Sequence, residues 1–348
     1  MKVSYLTMSS YEGPAPDLDI WPVAPRICKP DVSRLSVAHA VEMAQLAEEL
    51  GFDWVSVAEH HYAAYMMTPN PIVLAAALSQ VVKKATIALL GPLVPLNNPI
   101  RLAEEVAMLD NLTGGRVVVL FLRGTPNEHH TYDTPAEATR SMTQEGIDLI
   151  MKAWREEEPF SWQGEHYQFS TISVWPRIQQ YPHPPMYGSG NSKESVIFAA
   201  RRKMGIAFSF APLEMVEQFV ELYREECAKA GWQPTHENVL YRGIACVGET
   251  DGKAQSVFDD YLGLKAREKS MLQSETMGGP PIEQLVSEPY FLGGVDTVIE
   301  RFKALHDCGV GVVDMGFSVG HLEQQKASLR VFSEKVLPVV RNELAISA

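Results

Sequence analysis

The stretch "WVSVAEHHY", residues 54–62, closes an apolar, β-branched run with one carboxylate and two imidazoles: Glu59, His60 and His61. A histidine in such a place suits proton transfer, because its reference pKa is near ~6.5. The same residue types also bind metals. However, neighbouring residues of an extended chain point to opposite sides, so His60 and His61 do not readily grip one ion together. No other His, Asp or Glu stands at ligand spacing, and no metal site is expected. His60 is the expected proton-handling residue, while His61 reads as a hydrogen-bonded structural group. A second histidine pair, in "NEHHTYD" (127–133), lies in what reads as a loop.

Two further stretches suit an anion. Arg123-Gly124 follows the apolar run "RVVVLFL" (116–122), and an arginine can hold a phosphate with paired hydrogen bonds. Gly188, Ser189, Gly190, Asn191 and Ser192 precede a helical segment, whose first amides form a ready anion site. The Gly/Ser turn alone is weak evidence. Placed on one rim with Arg123, it points to a phosphorylated cofactor or substrate. No GxGxxG follows a strand, and neither GxxxxGK[ST] nor GxSxG occurs. The fourteen methionines, Met66 and Met67 among them, read as core and pocket filling.

These residues need elements to position them. Eight strand-like runs (2–7, 53–58, 85–94, 116–122, 185–189, 206–210, 240–247 and 310–317) are mostly continuous in apolar character. That is the pattern of parallel strands buried on both faces. A helical stripe of Val37, Val41, Ala44, Ala47 and Leu50 and helical segments near 69–83, 99–112, 136–155, 192–203, 212–230, 250–273 and 294–309 alternate with them. The expected fold is α/β, a single (β/α)8 TIM barrel spanning 1–348. Glu59, His60, Arg123 and the 188–192 turn all follow strands, so they fall at the C-terminal mouth where such barrels carry their sites. "NLTGGR" (111–116) marks the end of a helix before the fourth strand. Two irregular regions, 162–185 and 273–294, read either as lids and substrate walls or as solvated insertions.

The composition sets limits. The chain has 348 residues, is 46% hydrophobic and carries a formal charge of −13, so it has no basic footprint for nucleic acid or anionic membrane. Its four cysteines form no CxxC pair and read as reduced thiols. The first residues lack the apolar core of a signal peptide, and no apolar run approaches the ~18 residues of a membrane span. A cytoplasmic protein is expected.

The chain resembles the bacterial luciferase-like flavin-dependent monooxygenases almost end to end. The likeness is carried by "GFDWVSVAEHHY", "NPIVLAAAL", "NNPIRLAEEVAMLDNLTGGR" and the "RG" at 123–124, then by "FSWQGEHYQF", "AARRKMG" and "VFSEKVLPVV". The resemblance implies a barrel with flavin at its mouth. Reduced FMN, supplied as a co-substrate by a separate NAD(P)H:flavin reductase, would react with O₂ to a C4a-peroxyflavin that oxygenates a small, hydrophobic organic molecule. It places His60 near the peroxide, with Glu59 beside that imidazole or the flavin. It puts Arg123 on the FMN phosphate, with Ser189, Gly190, Asn191 and Ser192 as a second contact. A non-prolyl cis bond would join Leu90 and Gly91 behind the flavin ring, and Leu122 stands where luciferase has a reactive cysteine. A lid would cover 273–292. A homodimer or heterodimer would form through helices two and three, with Glu104 at the contact. Tyr62, Tyr65, Met66 and Trp175 would either line the substrate pocket or serve ordinary packing. Leu122 and the run Thr125-Pro126-Asn127-Glu128 depart from luciferase, which puts light emission from a long-chain aldehyde in doubt. Hydride transfer with F420 is the alternative enzyme reading, and a non-catalytic flavin-binding protein is the alternative outside enzymes.

Overall fold

The computed structural model describes residues 1–13, 21–266 and 290–344. All but the last three residues of the expected 273–292 lid lie outside them. The first half runs β1 (Lys2–Leu6), α1 (Pro30–Glu49), β2 (Trp54–Val57), α2 (Pro71–Leu78), β3 (Thr86–Leu93), α3 (Pro99–Thr113) and β4 (Val117–Leu122). After it come α4 (Pro126–Thr131), α5 (Thr139–Arg155), β5 (Phe160–Gln163), β6 (Gln168–Ile172), β7 (Met186–Ser189), α6 (Lys193–Arg201) and β8 (Gly205–Ser209). The chain continues through α7 (Leu213–Lys229), β9 (Val239–Val247), α8 (Asp251–Ala266), β10 (Phe291–Gly293) and α9 (Val295–Asp307). It closes with β11 (Val312–Gly316), α10 (Leu322–Val331) and α11 (Leu337–Glu343).

The parallel pairs run β1–β2–β3–β4–β7–β8–β9–β11 and back to β1, which closes the expected eight-stranded barrel. The short β10 adds to β9 outside the ring. β2 and β11 are buried at every residue, as strands covered on both faces must be. Local chemistry starts the helices. Asn70 and Asn98 each accept two backbone N–H bonds and each precedes a proline, so α2 and α3 begin alike. Gly114, with φ of 66°, ends α3 in the left-handed region, as "NLTGGR" predicts.

Following the pairing register around the ring sorts the inward side chains into tiers. Ser4, Ala88, Tyr187 and Leu240 lie lowest of the three that matter here. Ser56, Leu120, Ala207 and Asp314 form the next tier, and Leu6, Leu90, Ser189 and Arg242 the one beneath the mouth. Four inward residues from alternate strands per tier is how such barrels pack. The tiers are apolar over much of their area, yet an ion pair, Arg242 with Asp314, sits inside.

Three features differ from the sequence reading. The "NEHHTYD" region holds a helix, α4, rather than a loop. The region 162–185, read as irregular, contributes to an antiparallel hairpin, β5–β6. The Glu145 carboxylate on α5 pins its turn by accepting from Trp162 Nε1, His166 N and Tyr167 N. Helices α10 and α11 follow the last strand. Pro338 in "VFSEKVLPVV" looks like a helix breaker but sits in the first turn of α11, where a helix tolerates it. All four cysteines are free. No helix among the described residues is long and apolar enough to cross a membrane.

Candidate active site

The loops after β2 and β4 meet at the mouth. His60 Nδ1 lies 3.0 Å from Glu128 Oε1 and 3.3 Å from the Tyr65 hydroxyl. An ionised carboxylate only accepts, so the proton belongs on Nδ1, and both contacts fall on that atom rather than on Nε2. Glu128 is 3% exposed. Its other oxygen accepts from the Thr125 backbone N–H at 2.9 Å and from the Thr125 hydroxyl, which forms the capping box that starts α4. Burial pushes the Glu128 carboxyl up. The bonds from His60 and Thr125 and the His60 charge outweigh burial and hold it below the usual carboxylate range. Burial, with the Glu128 charge adding to it, raises the Tyr65 phenol far above neutrality.

Glu59, the neighbour expected for His60, turns elsewhere. One oxygen lies 3.1 Å from His61 Nε2 and the other accepts from Leu93 N at 3.0 Å. Glu59 and His61 are both buried, and they brace the end of β3. That strand contains the Leu90–Gly91 bond, which is cis. A Cβ at Gly91 would come within 1.7 Å of the Leu120 carbonyl oxygen, so β4 leaves room there for glycine only. Because His60 and His61 serve different carboxylates, they do not share a ligand. Among the described residues no three His, Cys, Asp or Glu side chains converge as metal ligands do.

The anion half of the rim lies beyond β4. Arg123 is followed by Gly124 with φ of 90°, and the Arg123 carbonyl accepts from His129 Nε2 at 3.1 Å. Burial first, and then the charge of Arg140, lowers the Arg123 guanidinium from its ordinary value. Arg140, in the first turn of α5, had no signal in the sequence reading. It donates to Glu194 in the first turn of α6 at 3.3 Å, two residues past the Ser192 cap. Ser192 Oγ accepts from Ser195 N and lies 3.0 Å from Ser195 Oγ. Within the turn, the Gly190 amide is taken by Ala207 O and the Asn191 amide by Ser189 Oγ. A Cβ at Gly190 would press on the Phe208 ring at 2.9 Å. Arg123, the hydroxyls of Ser192 and Ser195 and a helix N-terminus, with Arg140 paired to Glu194 beside them, are donors of the kind a phosphate monoester takes, so a flavin phosphate fits these residues.

The other expected positions divide. Leu122 is half-buried at the top of the inner cluster, level with the mouth. Met66 packs on Leu6 and Ala58, with Tyr65 beside it, under the His60 loop. Tyr62 is exposed and leans on Trp21. Trp175 is misplaced by the sequence reading, being 77% exposed. Two residues on, the Arg177 carbonyl is taken by Asn111, and Gln180 Nε2 donates to Val117 O at the start of β4. The insertion thus runs down to the end of the barrel opposite the mouth. Glu128 was missed as a site residue, although Thr125-Pro126-x-Glu128 is a helix-start signal that could have revealed α4.

A profile described as luciferase-like monooxygenase matches residues 21–311. The uncharacterized protein y4wF of Sinorhizobium fredii is 28% identical over 54% of this chain, which spans about half (55%) of that relative. The oxygenase component of a flavin-dependent trigonelline monooxygenase from Acinetobacter baylyi is 25% identical over 86% of this chain and 88% of its own. Among solved structures, monooxygenase RslO1 from Streptomyces bottropensis has a TM-score of 0.80 at 24% identity, covering 97% and 99% of the two chains. The oxygenating constituent of 3,6-diketocamphane monooxygenase from Pseudomonas putida, a Type II Baeyer-Villiger monooxygenase in complex with FMN, scores 0.74 at 20% identity over 97% and 98%. An F420-dependent secondary alcohol dehydrogenase scores 0.74 at 18% identity over 98% and 99%. The structural likenesses support the barrel itself.

The Glu128 contacts give a pH-dependent expectation. Its folded pKa is depressed, so ionised Glu128 stabilises the fold above about pH 4.5, and that contribution is lost as pH falls through the depressed value. Glu128→Gln is expected to cost about 1.5–3 kcal/mol at neutral pH. In denaturant unfolding, the gap from wild type should shrink toward about pH 3. An equal gap at both pH values would contradict the assignment.

Proposed function

The chain belongs to the luciferase-like monooxygenase family, and we propose that it is the oxygenase of a two-component pair. It takes reduced FMN from a separate NAD(P)H:flavin reductase and uses O₂ to oxygenate a small organic substrate. The observation that carries this reading is Arg123 at the end of β4, beside the Ser192-capped N-terminus of α6 that follows the neighbouring β7, on the rim that also bears His60. Reduced flavin, when bound, supplies the electrons that activate O₂, and the protein supplies orientation and electrostatics. Arg123, Arg140 and Ser192 would hold the phosphate, and the β3 edge at Leu90–Gly91 would stand beside the ring. Glu128 holds the His60 imidazole by Nδ1 and leaves Nε2 to give or take a proton at the reacting group, as a carboxylate orients a catalytic histidine elsewhere. Glu59 acts one step back, as a positioning residue for β3.

Anaerobic titration with reduced FMN, followed by rapid mixing with O₂, tests this. The expected result is tight binding, reoxidation slower than that of free flavin, and a near-ultraviolet transient. Tight binding of F420 with no such transient would replace the reading by hydride transfer. Arg123→Ala should weaken FMN by about tenfold or more and leave riboflavin unaffected. Equal losses for both flavins would remove the phosphate contact.

We also infer a dimer through α2 and α3. Val73, Met108 and Leu112 are large apolar side chains left exposed on these two helices, which pack side by side. Sedimentation should give a dimer that Met108→Asp with Leu112→Asp converts to a monomer. A wild-type monomer would contradict the inference.

A further inference from the structure

Arg242 projects from β9 into the tier directly beneath the mouth, four strands around the ring from Leu90 and therefore opposite it. It is 7% exposed, and Asp314, in the tier below, is fully buried. Arg242 Nε donates to Asp314 Oδ2 at 2.7 Å, while the Ser56 hydroxyl donates to Asp314 Oδ1 at 2.7 Å. The carboxylate is thus fully engaged. The guanidinium is not, because its Nη2 has no hydrogen-bond partner.

A guanidinium carries five donors, and leaving one buried and unpaired is costly. If the pair were only structural, apolar side chains of similar volume would serve as well or better. The surroundings sharpen the point. Leu6 and Leu90 share its tier, Leu120 lies in the tier below, and the hydroxyl-bearing Ser209 is the direct register partner of Arg242 on β8. Asp314 fixes the cation from below, so its remaining donors are what a ligand in the mouth can use.

The flavin reading places the ring on the β3 side and the phosphate between β4 and β7, which leaves the β9 side for the organic substrate. We propose that Arg242 is the anchor for a carboxylate on that substrate, so the enzyme acts on small organic acids. A planar guanidinium matches a carboxylate in shape and charge, and a buried cation in a chain of net charge −13 selects anions where the surface does not. The inference rests on the monooxygenase reading for which side the substrate occupies. The anion preference itself does not depend on that reading.

The test is calorimetric titration of the FMN-loaded protein with two acid and amide pairs of different size: benzoate against benzamide, and isobutyrate against isobutyramide. At least one acid should bind about tenfold or more tightly than its amide. The double variant Arg242→Leu with Asp314→Leu, which removes both charges and strands neither, should abolish that preference without changing FMN affinity. Equal affinity for acid and amide in the wild type would overturn the proposal, whether or not the variant folds. So would a preference that survives in the variant. If the variant instead loses reduced FMN and the wild type shows no acid preference, the cation serves the flavin, and the substrate assignment is wrong. Should FMN fail to bind at all, the monooxygenase reading falls, while the same comparison on the flavin-free protein still decides Arg242.

Discussion

Closure of the parallel sheet is the constraint on which everything else depends. Pairing of β8 with β9, β9 with β11 and β11 with β1 joins the last strands to the first, so no open edge remains in the ring. Parallel strands put every βα loop at one end, and that is why residues as distant as His60 and Glu128, or Arg123 and Ser192, come to one rim. Closure also fixes which side chains face inward. Arg242 and Asp314 enter the barrel because the register leaves them no other face, and their charges must then be answered by each other or by a ligand.

The electrostatics of the mouth follow from how its carboxylates are spent. Glu59 is held by His61 and Leu93 N, Glu128 by His60 and Thr125, and Asp314 by Ser56 and Arg242. At the α6 end of the rim, Glu194 is paired with Arg140. The charge of Arg140 is felt at Arg123 on the rim, and Arg242 keeps an unpaired donor below it. A protein with an acidic surface therefore offers positive charge where a phosphorylated cofactor and an acid would enter.

Much of this was legible in the sequence, for physical reasons. The eight barrel strands are continuous apolar runs, and the starts of α2 and α3 are Asn-Pro caps, so elements and mouth could be read locally. His60, Arg123 and the 189–192 turn stood out because each immediately follows such a run. What stayed hidden was contact between distant segments. The partner of His60 is 68 residues away, and Arg242 and Asp314 are 72 apart, at no spacing that a motif would reveal. Glu59 was paired with the wrong imidazole because adjacency in sequence is not adjacency across a strand's two faces. Trp175 was drawn into the site by its aromatic neighbourhood, when its segment follows the flank of α3 away from the mouth.

The central claim is that one rim holds a flavin by its phosphate and presents His60 to its ring. The most direct measurement is a crystal structure of the protein soaked with FMN. The account predicts the phosphate within hydrogen-bond reach of Arg123 and Arg140 at the start of α6, the ring against Leu90–Gly91, and His60 Nε2 turned toward the ring. A phosphate bound elsewhere on the rim, or a flavin outside the barrel mouth, would contradict it.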